Sequence, residues 1–167
     1  MSKITTFYQL AGTDSEGRTL EELWQMSDDE LMHQHDVIQW IFPLDEESRF
    51  NPDAPVLSAN DIKFFRKSDE MRSHLETSFH RFMKVVGVVY EDGSLRHASD
   101  VSDLTYVWLT PNHNWLRFTR IIRSLMILGQ PDLARMFLRF CEETVANVPE
   151  AKESLEYWRA ACSGVGA

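Results

Sequence analysis

Residues 71–86 of the chain read MRSHLETSFHRFMKVV, and this stretch indicates the fold class most clearly. Its large apolar residues recur every three or four positions, the spacing that places side chains on one face of an α-helix. They are Met71, Leu75, Phe79, Phe82, Met83 and Val86. Gly87 follows directly and suits the left-handed position that ends many helices. The stretch therefore predicts an amphipathic helix that packs its apolar face against a core.

Further helices are predicted on both sides of this stretch. Thr19 and Ser27 each precede a glutamate by three residues, a spacing typical of helix starts. The helix that begins after Ser27 is expected to continue to Phe42, because Pro43 must end it. The other predicted helix starts are Ser58, Pro111, Pro131 and Pro149, and the helix from Pro111 is expected to run to Leu128.

These elements predict an all-α fold, a compact single-domain bundle of about six to eight helices formed by residues 1–167. One small β-hairpin near residues 88–96 is a further expectation, because that segment contains an Asp-Gly pair of the kind found in tight turns. Residues 1–18 are expected to be irregular, since loop-forming residues cluster there. The tail at residues 163–167 is expected to fray.

The composition restricts the function classes. The 167 residues carry a formal net charge of −9, and a negative field repels nucleic acids and anionic membranes. Cys141 and Cys162 are too few for a disulfide framework and fit a reducing compartment. The first residues lack a signal peptide, and no apolar run is long enough to span a bilayer. We therefore expect a cytoplasmic protein with no transmembrane segment and no nucleic-acid partner.

A first candidate site lies in the helix that precedes Pro43. Ile38 and Phe42 fall on one side of that helix and Trp40 on another, so the helix is expected to be buried between neighbours. One interpretation is that Trp40 is a packing anchor in the core. The other is that Gln39 and Trp40 line a groove for a peptide or a small molecule, because such sites combine aromatic walls with a few polar groups.

A second candidate site lies in the helix after Pro111. His113, Arg117 and Arg120 line up opposite its apolar face, with Asn114 next to them in sequence, and no acidic residue occurs from residue 112 to 128. These side chains could form a solvated face or pair with acidic residues elsewhere in the chain. The alternative is that His113, Asn114, Arg117 and Arg120 bind an anion such as a carboxylate, a phosphate or a peptide C-terminus.

Metal and catalytic motifs are not evident in the sequence. His33 and His35 lie two residues apart and would point to nearly opposite sides of a helix, so we expect no metal site and a buried His35. No nucleophile elbow, phosphate-binding loop or zinc-protease motif occurs, and no cofactor is expected. An enzyme is therefore the less favoured class, and its version here would use a His/Arg anion pocket.

Several segments resemble one known family. Residues 38–44, IQWIFPL, closely resemble the signature heptad of the opioid growth factor receptor conserved domain. Residues 113–122, HNWLRFTRII, are similar to that family's His-Asn-x-Leu-Arg-Ile-Thr-Arg-Ile-Leu segment. Residues 57–65, LSANDIKFF, resemble its Leu-Thr-x-x-Glu-Ile-x-x-Phe segment, and residues 139–144 and 154–158 resemble two further blocks. The similarity extends over about residues 7–158, and ordered matches are more specific than a single motif.

This resemblance implies a receptor-like module. Animal members of the family are receptors for an enkephalin pentapeptide, are associated with the nuclear envelope, and carry long C-terminal extensions that this sequence does not include. The resemblance thus implies a non-enzymatic domain that binds a short peptide or a small anionic ligand, and it transfers no set of ligand-contacting residues. The alternatives are the enzyme with the His/Arg pocket and a protein-interaction domain, in one version a homodimer.

Overall fold

The computed structural model describes residues 1–49, 51–99 and 104–163. Within these residues, helices dominate and the one sheet is a two-stranded antiparallel hairpin, so the predicted all-α class is confirmed. The chain divides into two compact units, Met1–Val85 and Val86–Ala167. Organisation of residues 1–167 as a single domain stays a prediction.

In its described residues, the first unit contains six helices. They are α1 (Lys3–Tyr8), α2 (Leu20–Gln25), α3 (Asp28–His33), α4 (Val37–Ile41), α5 (Ala59–Lys67) and α6 (Asp69–Val85). Hydroxyl side chains cap four of them by accepting the backbone N–H three residues further on. The capping residues are Ser2, Thr19, Ser27 and Ser58. The predicted starts at Thr19, Ser27 and Ser58 are therefore confirmed.

The predicted amphipathic helix is α6. All six apolar residues of its predicted face are buried: Met71, Leu75, Phe79, Phe82, Met83 and, just beyond the helix, Val86. Gly87 follows with φ +72°, the left-handed conformation predicted for it. A Cβ added at Gly87 would also collide with the side chain of Leu104, so both the backbone conformation and the available space favour glycine.

Aromatic rings form the centre of the first unit. The ring centroid of Tyr8 lies 5.8 Å from that of Phe7 and 5.2 Å from that of Phe65, both in edge-on geometry. Phe42 and Phe82 form a further edge-on pair at 6.3 Å. Such pairs add about 0.5–1.5 kcal/mol to the stabilisation from burial alone. The short helices are thus stabilised mainly by tertiary packing.

In its described residues, the second unit contains one hairpin and four α-helices. They are β1 (Val88–Glu91), β2 (Ser94–His97), α7 (Thr105–Trp108), α8 (His113–Ile127), α9 (Pro131–Thr144) and α10 (Lys152–Cys162), with a 3-10 turn at Pro149–Ala151. α8 packs against both α9 and α10. The indole N–H of Trp158 on α10 donates to the carbonyl of Trp115 on α8 at 2.9 Å, which fixes the two helices together.

The predicted hairpin is present at residues 88–97. Asp92 and Gly93 form its turn with φ of 51° and 79°, the positive values that a type I′ turn requires at both positions. The ring of His97 lies 4.6 Å from that of Phe140, and its Nε2 lies 3.0 Å from Thr144 Oγ1, so β2 is attached to α9. Burial lowers the pKa of His97 below its ordinary value.

The expectation that residues 1–18 are irregular is wrong for residues 3–8, which form α1. The side chain of Ser2 accepts the N–H of Thr5 at 3.3 Å, and Ile4, Phe7 and Tyr8 are buried. Two adjacent threonines give the segment a low intrinsic helix propensity. Burial of the apolar residues outweighs that preference, and no local pattern in the sequence reports such burial.

The predicted helix from Ser27 to Phe42 is also wrong in its continuity, because it is divided into α3 and α4. Gln34 has an extended backbone with ψ 104°, which ends α3. Because of this break, the buried positions of α4 need not continue the helical face of α3. Val37, Ile38, Trp40 and Ile41 are all buried. His35 lies in this break and is exposed, so the expectation of a buried histidine is wrong.

Three smaller differences concern helix number and ends. The described residues contain ten α-helices, more than expected, because of the break at Gln34 and the short helices α1 and α7. α8 begins at His113 instead of Pro111, since Asn112 caps it by accepting the N–H of Asn114 at 2.8 Å. Of the tail expected to fray, residues 164–167 lie outside the described residues.

Candidate functional site

Trp40 is placed by α4 against α1. Its ring lies 5.2 Å from that of Phe7 at an interplanar angle of 69°, and only 4% of the residue is exposed. The interpretation of Trp40 as a packing anchor therefore holds for nearly all of its side chain. Within the described residues, however, its indole N–H has no hydrogen-bond acceptor and retains contact with solvent. The side chain is thus a core anchor with one polar edge left available.

Gln39 fastens the loop that follows α4. Its Nε2 donates to Ser48 Oγ at 3.1 Å, and its Oε1 accepts from Asn51 Nδ2 at 2.7 Å. The residue is 9% exposed, and the two bonds satisfy both ends of its amide. Asn51 Oδ1 in turn accepts the backbone N–H of Asp53 at 3.0 Å. Gln39 therefore holds the loop in place, and its role in lining a groove stays a prediction.

Trp40 borders an open depression of about 210 Å³ on the first unit. Its lining consists of Ser2, Lys3, Ile4, Ser15, Trp40, Asp53, Pro55 and Val56. A second depression, of about 260 Å³, shares Ser2 and Lys3 with the first and continues along the loop that contains Gly12, Thr13 and Asp14. Trp40 is the one candidate from the sequence that lines either space. Lys3 and Asp53 supply charges of opposite sign, and no sequence pattern marked them.

An ion pair between the buried carboxylate of Asp14 and the half-buried Arg18 fixes the loop at one side of these depressions. The carboxylate of Asp14 accepts the backbone N–H groups of Glu16 and Arg18 at 2.9 and 2.8 Å and the Nε of Arg18 at 2.8 Å. Arg18 also donates to Asp36, directly before α4, at 2.6 Å. Burial tends to lower the pKa of Arg18, but the bonds and charges of Asp14 and Asp36 outweigh this effect and raise it. The loop therefore has a defined position.

A chain of hydrogen bonds fixes the other side of α4. The indole N–H of Trp24 donates to Ser78 Oγ at 2.9 Å, and Ser78 Oγ lies 2.9 Å from the hydroxyl of Tyr8, which donates to the carbonyl of Ile41. Because a phenol has one proton, Ser78 supplies the proton of the middle bond. Burial raises the pKa of Tyr8, although the bond to Ser78 opposes this shift. The network ties α1, α2 and α6 to the end of α4.

The second candidate group lies in α8 of the second unit. Asn114 is fully buried and Arg117 is 5% exposed, while His113 and Arg120 are half-buried. Burial lowers the pKa of Arg117 to about 10. The sequence predicted that His113, Arg117 and Arg120 face away from the apolar surface of the helix. The interpretation as a solvated face is wrong for Arg117, which is buried in a helix that packs against both α9 and α10.

The six predicted site residues thus form two separate groups. Gln39 and Trp40 belong to the first unit, and His113, Asn114, Arg117 and Arg120 belong to the second. The described residues contain no cluster of three or more side chains suited to hold a metal ion. Among the described helices, none combines the length and the apolarity needed to cross a bilayer.

Comparison with known proteins identifies the family. Residues 8–163 match the profile described as the opioid growth factor receptor (OGFr) conserved region. The chain belongs to the OGFr conserved-region family. No solved structure matches the chain.

The relatives in this OGFr family are longer proteins. Opioid growth factor receptor-like protein 1 of Xenopus tropicalis is 32% identical over 154 residues, which cover 86% of this chain and 30% of the relative. The opioid growth factor receptors of Mus musculus and Homo sapiens are each 32% identical over 145 residues, or 81% of this chain and 22% and 21% of those proteins. The chain therefore spans less than a third of the length of these relatives.

The segments that resemble the OGFr family are structural elements of both units. Residues 38–44 form α4 and the turn at Pro43, and residues 113–122 form the first two-thirds of α8. Residues 57–65 contain the Ser58–Asp61 capping box and most of α5. In residues 38–44 and 113–122 most of the apolar positions are buried, whereas in residues 57–65 Leu57 and Phe65 are buried and Phe64 is exposed. These family motifs therefore specify packing and helix starts, and Trp40 also borders a surface depression.

Proposed function

We propose that this chain is a non-enzymatic ligand-binding module whose site is the depression beside Trp40, and that its ligand is a short peptide or a small anionic molecule. The position of Trp40 carries this proposal. Its indole belongs to the heptad typical of the OGFr family, borders the depression, and keeps an N–H available for a ligand. Aromatic walls with a few polar groups are typical of small-ligand sites.

The charges at the depression fit a ligand with a carboxylate. Lys3 is exposed and offers an ammonium group for an anion, and Asp53 is exposed and offers a partner for an amine. A short peptide with free termini carries both groups. Val56 at the rim is 46% exposed and offers an apolar contact. The fixed positions of the Asp14 loop and of the loop held by Gln39 reduce the ordering cost of binding.

The names of the relatives suggest which peptides to test first. These proteins are named opioid growth factor receptors or opioid growth factor receptor-like proteins, so an opioid peptide is a reasonable first probe for the present chain. The enzyme alternative receives less support, because two residues of its His/Arg pocket, Asn114 and Arg117, are buried in helix packing. Burial of Arg117 leaves its guanidinium group little access to a substrate from solvent.

Binding can be tested by titration of enkephalin-like peptides and a panel of small carboxylates, with tryptophan fluorescence and melting temperature as readouts. A ligand at about 100 times its Kd stabilises the folded state by about 2.7 kcal/mol, which raises the melting temperature. Lys3→Glu should weaken binding of an anionic ligand about tenfold, because attraction becomes repulsion. No response to any peptide or carboxylate would contradict the proposal.

A matched control separates the site from a general charge effect. Lys152→Glu makes the same change of charge at an exposed lysine of the second unit, so it should leave the ligand affinity unchanged. Asp53→Lys should weaken binding of peptides with a free amino terminus more than binding of their acetylated forms. Equal effects of Lys3→Glu and Lys152→Glu would mean that the ligand responds to net charge and does not occupy this depression.

We also propose a cytoplasmic location. The support is the presence of two free cysteines, Cys141 and Cys162, which fit a reducing compartment. Imaging of the fluorescently labelled chain in its own cells would test this location. Signal confined to the nuclear envelope or the cell surface would contradict it.

A homodimer is the remaining proposal for self-association. Several large apolar side chains are exposed, including Tyr106, Leu116 and Tyr157 of the second unit, and such residues often occur at interfaces. Sedimentation velocity over a wide range of protein concentrations would test it. A monomer at every concentration would exclude the homodimer.

A further inference from the structure

The outer face of α5 combines two lysines with an exposed aromatic ring. Asn60, Lys63, Phe64 and Lys67 lie at relative positions one, four, five and eight of this part of the chain, so they form one stripe along the helix. All four are exposed, and Phe64 keeps 36% of its surface accessible. We call these four residues the basic stripe. It carries two positive charges on a chain whose net charge is −9.

The remainder of α5 holds this stripe in a fixed orientation. The Ser58 hydroxyl accepts the N–H of Asp61 at 3.1 Å, and the Asp61 carboxylate accepts the N–H of Ser58 at 2.8 Å, which forms a complete capping box. On the inner face, Phe65 is fully buried against the ring of Tyr8. The outward direction of Lys63, Phe64 and Lys67 therefore follows from the packing of their neighbours.

The charges of the stripe lysines are not neutralised by ion pairs within the described part of the chain. Neither Lys63 nor Lys67 forms an ion pair there, whereas arginines of the same unit do: Arg18 pairs with Asp14 and Asp36, Arg72 with Asp69, and Arg81 with Asp28. The pairing of Asp69 with Arg72 also occupies an acidic group that follows α5 directly. The positive charge of the stripe is thus available to an external anion.

We propose that the basic stripe is a docking surface for an acidic, amphipathic segment of a partner protein, in which an apolar residue is flanked by carboxylates about one helical turn away. Charge complementarity selects the carboxylates, and Phe64 between the two lysines selects the apolar residue. A free phosphate or a simple carboxylate would leave Phe64 unused.

The size of the stripe favours a peptide over a polyanion. A helix of the length of α5 spans only about 13 Å. A nucleic acid carries one charge about every 1.7 Å and would extend beyond the stripe, where the net charge of −9 on the chain repels it. An anionic membrane presents the same difficulty over a larger area. A segment whose acidic residues are confined to two or three turns matches the stripe without this repulsion.

The test uses the full chain and a fluorescein-labelled synthetic peptide of glutamate and alanine that carries two leucines one helical turn apart. A peptide of the same composition with the leucines on opposite faces serves as its control. Fluorescence anisotropy should show saturable binding of the first peptide, weaker binding of the second, and a loss of affinity as salt increases. Absence of saturable binding to the first peptide would overturn the proposal.

Variants locate the binding surface. The double substitution Lys63→Glu and Lys67→Glu should lower the affinity for the peptide at least about tenfold, and Phe64→Ser should lower it severalfold. The matched control is Lys84→Glu with Lys152→Glu, which makes the same charge change at two exposed lysines outside the stripe and should have little effect. The stripe is solvent-exposed, so all these variants should keep the melting temperature of the original chain.

Two competing ligands complete the experiment. A single-stranded RNA oligonucleotide and vesicles that contain phosphatidylserine should bind weakly and independently of Lys63 and Lys67. Stripe-dependent binding of either one that is tighter than binding of the peptide would overturn the peptide proposal. Equal loss of peptide affinity in the stripe variant and in the control variant would overturn it as well, because the binding would then depend only on net charge.

Discussion

α4 has five residues and α8 has fifteen, yet both bury polar side chains among apolar ones. In α4, Gln39 uses its amide to hold a loop through Ser48 and Asn51, and its neighbour Trp40 keeps one polar edge at the surface. In α8, Asn114 and Arg117 lie within the packing of a long helix covered by α9 and α10.

The difference shows that the two family-like segments, in α4 and in α8, use their buried polar groups in different ways. The polar groups of α4 determine the shape of a nearby surface, because they fix the loop that borders the depression. The polar groups of α8 are withdrawn from water, and burial of Arg117 lowers its pKa to about 10. We therefore expect substitutions in α8 to act mainly on stability, and substitutions around α4 to act on stability and on ligand binding.

The largest expected effect comes from removal of the Trp40 ring. Trp40→Ala should lower the free energy of unfolding by about 3–5 kcal/mol, because it opens a cavity beside Phe7. Urea denaturation followed by circular dichroism measures this loss. Tyr106→Ala, at a residue 61% exposed, is the control and should change stability by less than about 0.5 kcal/mol. A loss below about 1 kcal/mol for Trp40→Ala would assign this ring to the ligand site alone.

The second prediction tests whether α8 is a structural element. Arg117→Gln should destabilise the chain by about 3 kcal/mol, because it alters a buried charged site. Arg139→Gln on the exposed side of α9 is the matched control and should have an effect within about 0.5 kcal/mol. Thermal melts of the two variants and of the unchanged chain supply the comparison. An unchanged melting temperature for Arg117→Gln would restore the interpretation as an exposed anion site.

The third prediction concerns the loop that Gln39 holds. Gln39→Ala should cost about 1–3 kcal/mol, since Ser48 and Asn51 lose their buried partner. Hydrogen exchange should increase within residues 48–57 and remain unchanged in α8. A ligand in the depression beside Trp40 should also bind more weakly, because Asp53 is positioned through Asn51. Increased exchange throughout the first unit would show that Gln39 stabilises the whole unit instead of one loop.

The smallest expected effect is a pH dependence with opposite signs in the two regions. Burial raises the pKa of Tyr8 above its ordinary value of 10.0, so the unfolded chain loses this proton first and stability falls as the pH rises above 10. Burial lowers the pKa of Arg117 to about 10 from 12.5, so the folded chain loses that proton first and stability rises over the same range.

Single substitutions isolate the contribution of Tyr8. Tyr8→Phe should remove a decline of up to about 1.4 kcal/mol per pH unit above pH 10, and Tyr106→Phe at an exposed tyrosine supplies the reference slope. Urea denaturation at several alkaline pH values measures both slopes. Equal slopes for Tyr8→Phe and Tyr106→Phe would show that the phenol of Tyr8 is exposed to water in the folded state.

The sequence predicted the elements whose information is local. The apolar period of α6, the Asp-Gly turn of the hairpin and the hydroxyl caps at Thr19, Ser27 and Ser58 each lie within a few residues, and the structure confirms them. The resemblance to the family was also visible in short segments, and the family is confirmed.

The features that the sequence did not predict depend on tertiary contacts. α1 is stabilised by burial of Ile4, Phe7 and Tyr8, and the break at Gln34 allows α4 to bury residues on several sides. The helix that carries the buried Arg117 packs against both α9 and α10. The lining of the depression joins residues from four segments, near residues 2, 15, 40 and 53, and no spacing in the sequence relates them.

The hydrogen bonds of the five tryptophans have a consequence for spectroscopy. Four indole N–H groups donate to protein oxygens: Trp24 to Ser78, Trp108 to Val86, Trp115 to Val107 and Trp158 to Trp115. Among the described residues, the indole of Trp40 has no such acceptor. In a nitrogen-15 NMR spectrum, four indole resonances should resist exchange with deuterium oxide, and that of Trp40 should fade first. This resonance is therefore a built-in reporter for occupation of the depression.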